Sequence, residues 1–223
     1  MKPSLALIAL LATAAGVLPP ARGLQWLAGN VGQTWLGEQR SWVSLAIPGG
    51  CTDFRSGCNC TTCRENIDAA WRDGIPSLAR MPETGVFRRP TRYPNGSDSS
   101  LGGLVDGWQG RLQAWAHDVV LPAMANGSVK GVFLGDEICC HNSSCWRGQL
   151  YPMSAHLRQL LGSPAILYTN ECQDSLTGGN YSSHGHAVGP PLDKIAPDLD
   201  VVSVDLCETF HTLVSGFIFA RWS

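Results

Sequence analysis

The spacing of three short apolar segments constrains the fold of this chain more than any other sequence feature. The segments run from Lys130 to Leu134, from Ala165 to Thr169 and from Leu199 to Leu206. Phe133 in the first lies 34 residues before Leu167 in the second, which lies 35 residues before Val202 in the third. Each is rich in apolar residues without polar alternation, which is typical of strands covered on both faces of a parallel sheet. A repeat of this length leaves room for one helix between successive strands, as in a βαβ unit. The sequence therefore predicts an α/β fold whose parallel strands alternate with helices.

Two more strands are predicted upstream, from Trp42 to Ile47 and, more weakly, from Ile75 to Met81; Leu24 to Leu27 is a candidate for a further first strand. Two architectures fit this order of elements: a (β/α)8 barrel and an open, doubly wound sheet. No glycine-rich phosphate loop follows an early strand, which argues against the dinucleotide-binding form of the doubly wound sheet. We therefore expect a barrel-like arrangement.

Three amphipathic stripes predict the intervening helices. The first begins with the capping box Thr62-x-x-Glu65. The second is predicted to end before Pro122, and the third is bounded by Pro152 and Gly162. The residues expected on the buried faces are Cys63, Ile67, Ala70 and Trp71, then Trp108, Leu112, Trp115 and Val119, then Met153, Leu157, Leu160 and Leu161.

The N-terminus has the pattern of a secretory signal peptide. Lys2 precedes an almost wholly apolar run from Leu5 to Leu18, and Pro19 and Pro20 end it. A positive start, an apolar run of about 7–15 residues and small residues beyond it are typical of a removable signal. We therefore expect residues 1–23 to be a signal peptide, and the protein to be secreted or to enter the lumen of the secretory pathway.

Glycosylation sequons and cysteines agree with export. Five Asn-x-Ser/Thr sequons predict an N-glycosylated protein. They are at Asn59, Asn95, Asn126, Asn142 and Asn180. Nine cysteines suit an oxidising compartment, where disulfides are a better interpretation than zinc ligation by the Cys60-x2-Cys63 pair. Because the number of cysteines is odd, at least one thiol is unpaired or bonds outside this chain.

The charge balance narrows the range of partners. The formal net charge is −2 and only 15% of residues are charged, with no block of Lys or Arg. Nucleic acid and anionic membrane are therefore not expected as partners. After the signal no apolar run is long enough to span a membrane, so no stable insertion is expected. The sequence also predicts no metal and no cofactor: His184-x-His186 lies in a polar loop without a placed third ligand.

Acidic residues follow each of the three strongest predicted strands. Asp136 and Glu137 follow the first, Glu171 follows the second and Asp205 ends the third. In a parallel barrel the carboxyl ends of all strands open on one face, so these acids are expected to converge. Converging carboxyls suit glycoside hydrolysis, where one protonates the leaving oxygen and another attacks the sugar or activates water.

The segment from Val129 to Glu208 resembles the middle of a glycosidase-type (β/α)8 barrel. The resemblance is based on two segments at strand ends, Gly131 to Glu137 and Tyr168 to Glu171. In the large retaining clan an Asn-Glu pair ends a strand, so the resemblance implies that Asn170 contacts substrate and Glu171 is the acid/base. Asp136 and Glu137 match the acidic strand end equally well. Aromatic candidates for a sugar platform are Tyr168 and Trp146.

The chain departs from that superfamily in length. A full barrel needs about 250 residues, and little chain follows the third strand for the nucleophile of that clan. We therefore expect residues 24–223 to form one barrel-like domain, truncated at its C-terminus. The expected function is that of a secreted glycoside hydrolase-like protein with a carbohydrate substrate. The alternatives are a noncatalytic glycan- or protein-binding domain and an inactive fragment of a barrel enzyme.

Overall fold

The strands that the structure describes form one sheet in chain order. The computed structural model describes residues 26–31, 43–48, 61–83, 85–88, 102–139, 144–178, 190–205 and 218–220. The strands are β1 (Trp26–Val31), β2 (Val43–Pro48), β3 (Ser77–Arg80), β4 (Val129–Asp136), β5 (Ile166–Cys172), β6 (Val201–Asp205) and β7 (Ile218–Ala220). The helices are α1 (Thr61–Arg72), α2 (Trp108–Trp115), α3 (Leu121–Ala125), α4 (Tyr151–Leu161) and α5 (Gln173–Thr177). The predicted signal peptide, His184, His186 and the sequons other than Asn126 lie outside the described residues.

The sheet order is β1 to β7, with each strand beside its neighbour in the chain, and β1 to β5 each pair in parallel with the next strand. This confirms the predicted parallel pairing: Val132 pairs with Leu167, and Thr169 pairs with Val202. The curled sheet and its alternation with helices make an α/β fold. A doubly wound sheet reverses its strand order at a switch point. The described strands show no such reversal. The β7 strand returns antiparallel to β6.

The helices and the sheet share one large core. Leu134 of β4 and Leu167 of β5 belong to it, together with helix residues such as Leu157. Successive strand residues point to opposite faces. Phe133 and Tyr168 accordingly lie in a separate, smaller cluster on the other face of the sheet. We refer to these as the helix-covered face and the inner face.

The first predicted helix forms, but one of its buried residues was wrongly assigned. Cys63, Ile67 and Ala70 are buried, whereas 40% of Trp71 is exposed. Positions separated by three and four residues share a helix face, and Trp71 stands at the border of that stripe. The edge of a short stripe is solvated even when a large apolar residue occupies it.

Two helices widen into a π turn immediately before a proline. Ala116–Val120 joins α2 to α3, which contains Pro122, so the prediction that the helix ends before this proline is wrong. Trp146–Leu150 leads in the same way into α4 and its Pro152. Proline lacks an N–H and its ring crowds the carbonyl four residues earlier, and widening the turn relieves both problems. Arg64 of α1 donates a hydrogen bond to that carbonyl before Pro122, the one of Asp118.

A single arginine ties α4 to two strands. Arg158 donates to the carbonyl oxygens of Ala165, at 2.7 Å, and of Asp198, at 2.8 Å, and pairs with the Asp200 carboxylate at 2.5 Å. The same carboxylate accepts the backbone N–H of Leu167 at 2.8 Å. The segments leading into β5 and β6 are therefore held to the end of α4, which Gly162 terminates as predicted.

Candidate functional site

An irregularity in the pairing of β4 with β5 decides where Asp136 points. Phe133 pairs with Tyr168 and Asp136 pairs with Asn170, so three steps along β4 match two along β5. In a regular strand Asp136 would face away from Phe133, because side chains alternate. The extra residue of the bulge restores Asp136 to the inner face. There its Oδ1 accepts a hydrogen bond from Asn170 Nδ2 at 2.7 Å.

That bond is the last of a chain across three strands. Ser203 of β6 donates to Asn170 Oδ1, and the Tyr168 hydroxyl lies 2.6 Å from Ser203 Oγ. Since the one hydroxyl hydrogen of Ser203 goes to Asn170, Tyr168 donates to Ser203. All three bonds then point the same way, and the chain ends on the Asp136 carboxylate. Hydrogen bonds aligned in this way reinforce one another, and together they hold the Asp136 side chain on the inner face.

An ion pair that was not predicted from the sequence lies near this series of hydrogen bonds. Arg80, at the end of β3, pairs with Glu83 at 3.0 Å. The Arg80 guanidinium carbon lies 5.9 Å from the centre of the Phe133 ring, on the inner face. Glu83 Oε1 lies 3.5 Å from the position a Cβ would take on Gly135, next to Asp136. The signal was present in the sequence, because Glu83 is another acid that follows a strand.

Glu137 sits in a strained turn at the end of β4. It is the non-glycine residue with positive φ in the described backbone, at 55°, and its side chain is exposed. Its N–H donates to the Asn170 carbonyl oxygen at 2.8 Å, which fixes the turn to β5. One carboxylate oxygen lies 3.2 Å from the sulfur of Cys172. Cys172 is disulfide-bonded, so this contact is not a hydrogen bond. A left-handed glutamate costs about 1 kcal/mol, and such strain concentrates at functional sites.

Glu171 occupies the helix-covered face instead. It lies two residues after Thr169 and four after Leu167, so it points to the same face of β5 as they do, and it is fully buried. Its Oε2 accepts the backbone N–H of Cys139 at 2.9 Å, inside the loop closed by the Cys139–Cys145 disulfide. A carboxyl without exposed surface cannot reach a sugar in this conformation. The site therefore brings together Asp136, Glu137 and Asn170, while Glu171 supports them from behind.

The pKa of Glu171 is raised to about 8, chiefly by burial and also by the nearby charges of Glu137 and Asp136, while the hydrogen bonds with Cys139 and Thr169 oppose the rise. The hydrogen bonds around Glu171 also fit a protonated carboxyl. Thr169 Oγ1 lies 3.3 Å from the Gly135 carbonyl oxygen and 3.2 Å from Glu171 Oε1, but it has a single hydrogen for both acceptors. A protonated Glu171 donates to Thr169, which donates to Gly135. Every group is then satisfied.

The remaining candidates lie apart from the exposed carboxyls or outside the described side chains. Trp146 is fully buried and donates from Nε1 to Ser175 Oγ at 3.2 Å, so it offers no exposed ring to a sugar. Tyr168 is 7% exposed, and its hydroxyl begins the series of hydrogen bonds that ends on Asp136. The backbone of Asp205 ends β6 opposite Cys172, and its side chain is not among those described. Among the described residues no group of three His, Cys, Asp or Glu side chains is arranged to hold a metal ion.

No protein-family model matches the chain, and no curated protein or solved structure matches it either. The resemblance to glycosidase barrels therefore depends on the motif residues alone. Among the described helices, none is long and apolar enough to cross a membrane. Because one fold serves many functions, the function has to be argued from the chemistry of the site.

Proposed function

We propose that the carboxyl ends of β4 to β6 form the carbohydrate site of a secreted glycoside hydrolase-like protein. The observation that carries the proposal is the exposed pair Asp136 and Glu137, placed beside the chain of hydrogen bonds through Asn170. Carboxyls, an amide and hydroxyls on one strand-end rim are the groups that bind sugar hydroxyls and cleave glycosidic bonds.

In this proposal Glu137 is the proton donor. Its exposed carboxyl stands on a strained turn that the Asn170 carbonyl fixes. Protonated, it would transfer a proton to the glycosidic oxygen as the bond to the sugar C1 breaks. Asp136, held in place by the amide hydrogen bond from Asn170, would stabilise the positive charge that develops on the sugar or activate the attacking water. Glu171 positions this turn through Cys139 and does not touch the substrate.

One observation favours a binding domain as the second candidate. The carboxyl whose pKa is raised towards neutrality, Glu171, is the fully buried one. General acid catalysis needs such a group within reach of the substrate. The same rim of carboxylate, amide and hydroxyl groups would still bind a glycan without cleaving it.

The test is hydrolysis of a panel of aryl glycosides and natural glycans by the whole chain. Glu137→Gln and Asp136→Asn are each expected to lower kcat by about 10²–10⁴-fold, the usual contribution of a general acid or base. Asp106→Asn, an exposed carboxyl before α2, is the matched control and should keep the wild-type rate.

Calorimetric titration of the same glycans separates the two candidate functions. Equal cleavage by wild type and Glu137→Gln would exclude Glu137 as the acid. Binding that Asn170→Ala abolishes, with no cleavage by wild type, would identify the binding domain. If the wild type neither binds nor cleaves any glycan of the panel, the proposal is refuted for this chain.

A further inference from the structure

An exposed tryptophan stands on the outer side of α1, far along the chain from the strand-end acids. Trp71 is 40% exposed, and among the described residues it is the large hydrophobic side chain left open to solvent. Glu65, Asp68 and Arg72 line the same surface depression. An aromatic face among charged side chains is amphipathic, as is the pyranose ring of a sugar, which carries C–H groups on its faces and hydroxyls at its edge.

The loop that approaches this tryptophan carries a glycosylation sequon. Asn126, Gly127 and Ser128 link α3 to β4, and Asn126 is exposed. Asn126 Oδ1 accepts the Ser128 N–H at 2.9 Å, so the turn uses the oxygen of the amide rather than Nδ2, the atom to which a sugar is attached. The folded turn therefore accommodates a modified Asn126. Ser128 is buried and donates to the Ala123 carbonyl oxygen at 3.1 Å, which requires the modification to precede folding of the turn.

Gly127 brings the sequon and the tryptophan together. A Cβ placed on Gly127 would lie 3.7 Å from Cη2 of Trp71 and 3.9 Å from Nζ of Lys130. The indole ring and an ammonium group therefore border the space beside Gly127, where any other residue would place its Cβ. Gly127 has φ of 87°, so the position is also one where a side chain is disfavoured by the backbone.

We propose that Asn126 carries an N-linked glycan and that the exposed ring of Trp71 holds its first N-acetylglucosamine. The linkage forms between Asn126 Nδ2 and C1 of the sugar, supplied by a lipid-pyrophosphate-linked oligosaccharide. The bond from C1 to the pyrophosphate breaks, the lipid pyrophosphate leaves, and one proton is lost from the amide. The apolar face of the sugar then covers the indole, and Lys130 lies within reach of its polar edge.

The experiment uses the full chain, directed into the secretory pathway of an animal cell by a host signal peptide. Peptide mass spectrometry of the secreted protein is expected to find the Asn126 sequon occupied. In NMR spectra of protein trimmed to single N-acetylglucosamine residues, ring protons of one sugar should be shifted upfield by the indole. Trp71→Ala should abolish that shift and leave the other sugars unchanged.

A thermodynamic cycle tests the contact independently. Trp71→Ala is expected to lower Tm by about 2–4 °C in the glycosylated protein, and by clearly less in an Asn126→Gln background. An unmodified Asn126 in the secreted protein would overturn the proposal. So would equal Tm losses in the two backgrounds together with an unshifted sugar, because Trp71 would then be an exposed aromatic without a role for the glycan.

Discussion

The backbone N–H of Cys139 donates a hydrogen bond of 2.9 Å to the buried Glu171 carboxyl, and so fastens the turn after β4 to β5. The loop beyond this bond is closed by the disulfide between Cys139 and Cys145. Asp136 and Glu137 lie just before Cys139 in the chain, in the turn that this hydrogen bond holds. The position of the exposed acids therefore depends on a carboxyl that solvent does not reach.

The pH dependence of folding should report this carboxyl. In the unfolded chain Glu171 ionises near the ordinary glutamate pKa of 4.5, whereas in the folded protein its pKa is about 8. Between these values the folded state binds one more proton. The stability contributed by the neutral group is therefore fully present below pH 4.5 and is lost as the pH rises towards 8. The slope from this group should approach about 1.4 kcal/mol per pH unit.

Urea denaturation at a series of pH values between 4 and 9 measures the effect. Glu171→Gln is neutral at every pH and should flatten this part of the profile. Glu65→Gln removes an exposed carboxyl on α1 and should leave the slope in place. A profile for Glu171→Gln that is as steep as that of wild type would show that Glu171 is not the group responsible.

Gly131 allows β4 and β5 to approach each other closely. A Cβ at this position would stand 1.9 Å from the Ile166 carbonyl oxygen, an impossible contact with backbone. Gly131→Ala is therefore expected to cost about 3 kcal/mol or more of unfolding free energy. Gly110→Ala, within α2 and with open space around it, should instead add about 0.5–1 kcal/mol. Denaturation of the two variants in parallel checks the contrast, which equal stabilities would contradict.

Arg158 should be important for stability in a way that charge alone does not explain. Its guanidinium serves the Ala165 and Asp198 carbonyls and the Asp200 carboxylate, and its side chain is 15% exposed. Arg158→Met keeps the aliphatic length but removes the donor that these three acceptors share, at an expected cost of about 2–4 kcal/mol. Arg111→Met, on the exposed side of α2, is the control and should change stability by less than about 0.5 kcal/mol. Thermal and urea unfolding of both variants provide the measurement.

The bond from Tyr168 to Ser203 should be measurable as a coupling energy. Tyr168→Phe and Ser203→Ala each break it, so the double variant should lose about 1 kcal/mol less than the sum of the two single losses. Strictly additive losses would mean that the two hydroxyls do not interact. Tyr168→Phe combined with Arg111→Met, a distant pair, provides the additive reference.

Much of the fold could be predicted because the pattern is local. Buried parallel strands are continuous apolar runs, so β4, β5 and β6 were found within a few residues of their ends. Gly162 ends α4 as predicted because the left-handed backbone there favours glycine. The end predicted before Pro122 was wrong because a π turn lets the helix continue past the proline, and the sequence alone does not show where a helix widens.

The site was predicted less well, for reasons of register. The acids were found by their positions after strands, yet that signal does not say which face each one occupies. A bulge turned Asp136 to the inner face, and regular alternation put Glu171 against the helices. One residue of register reverses a side chain, and the pairing that sets the register is a long-range property of the folded sheet. Arg80 and Glu83 were missed because they lie at the end of the weaker predicted strand, whereas the candidate acids came from the three strongest strands.

The chain-order sheet has a consequence for how the protein comes to be folded. Each of β2 to β6 pairs with the strand made just before it in the chain. Contacts of this kind keep the contact order moderate for a parallel sheet, because no strand has to wait for a partner from the far end of the chain. The sheet can therefore grow during synthesis, with β4 in place before β5 leaves the ribosome. The bond from Cys139 to Glu171, and with it the turn that carries Glu137, forms only when β5 has been added.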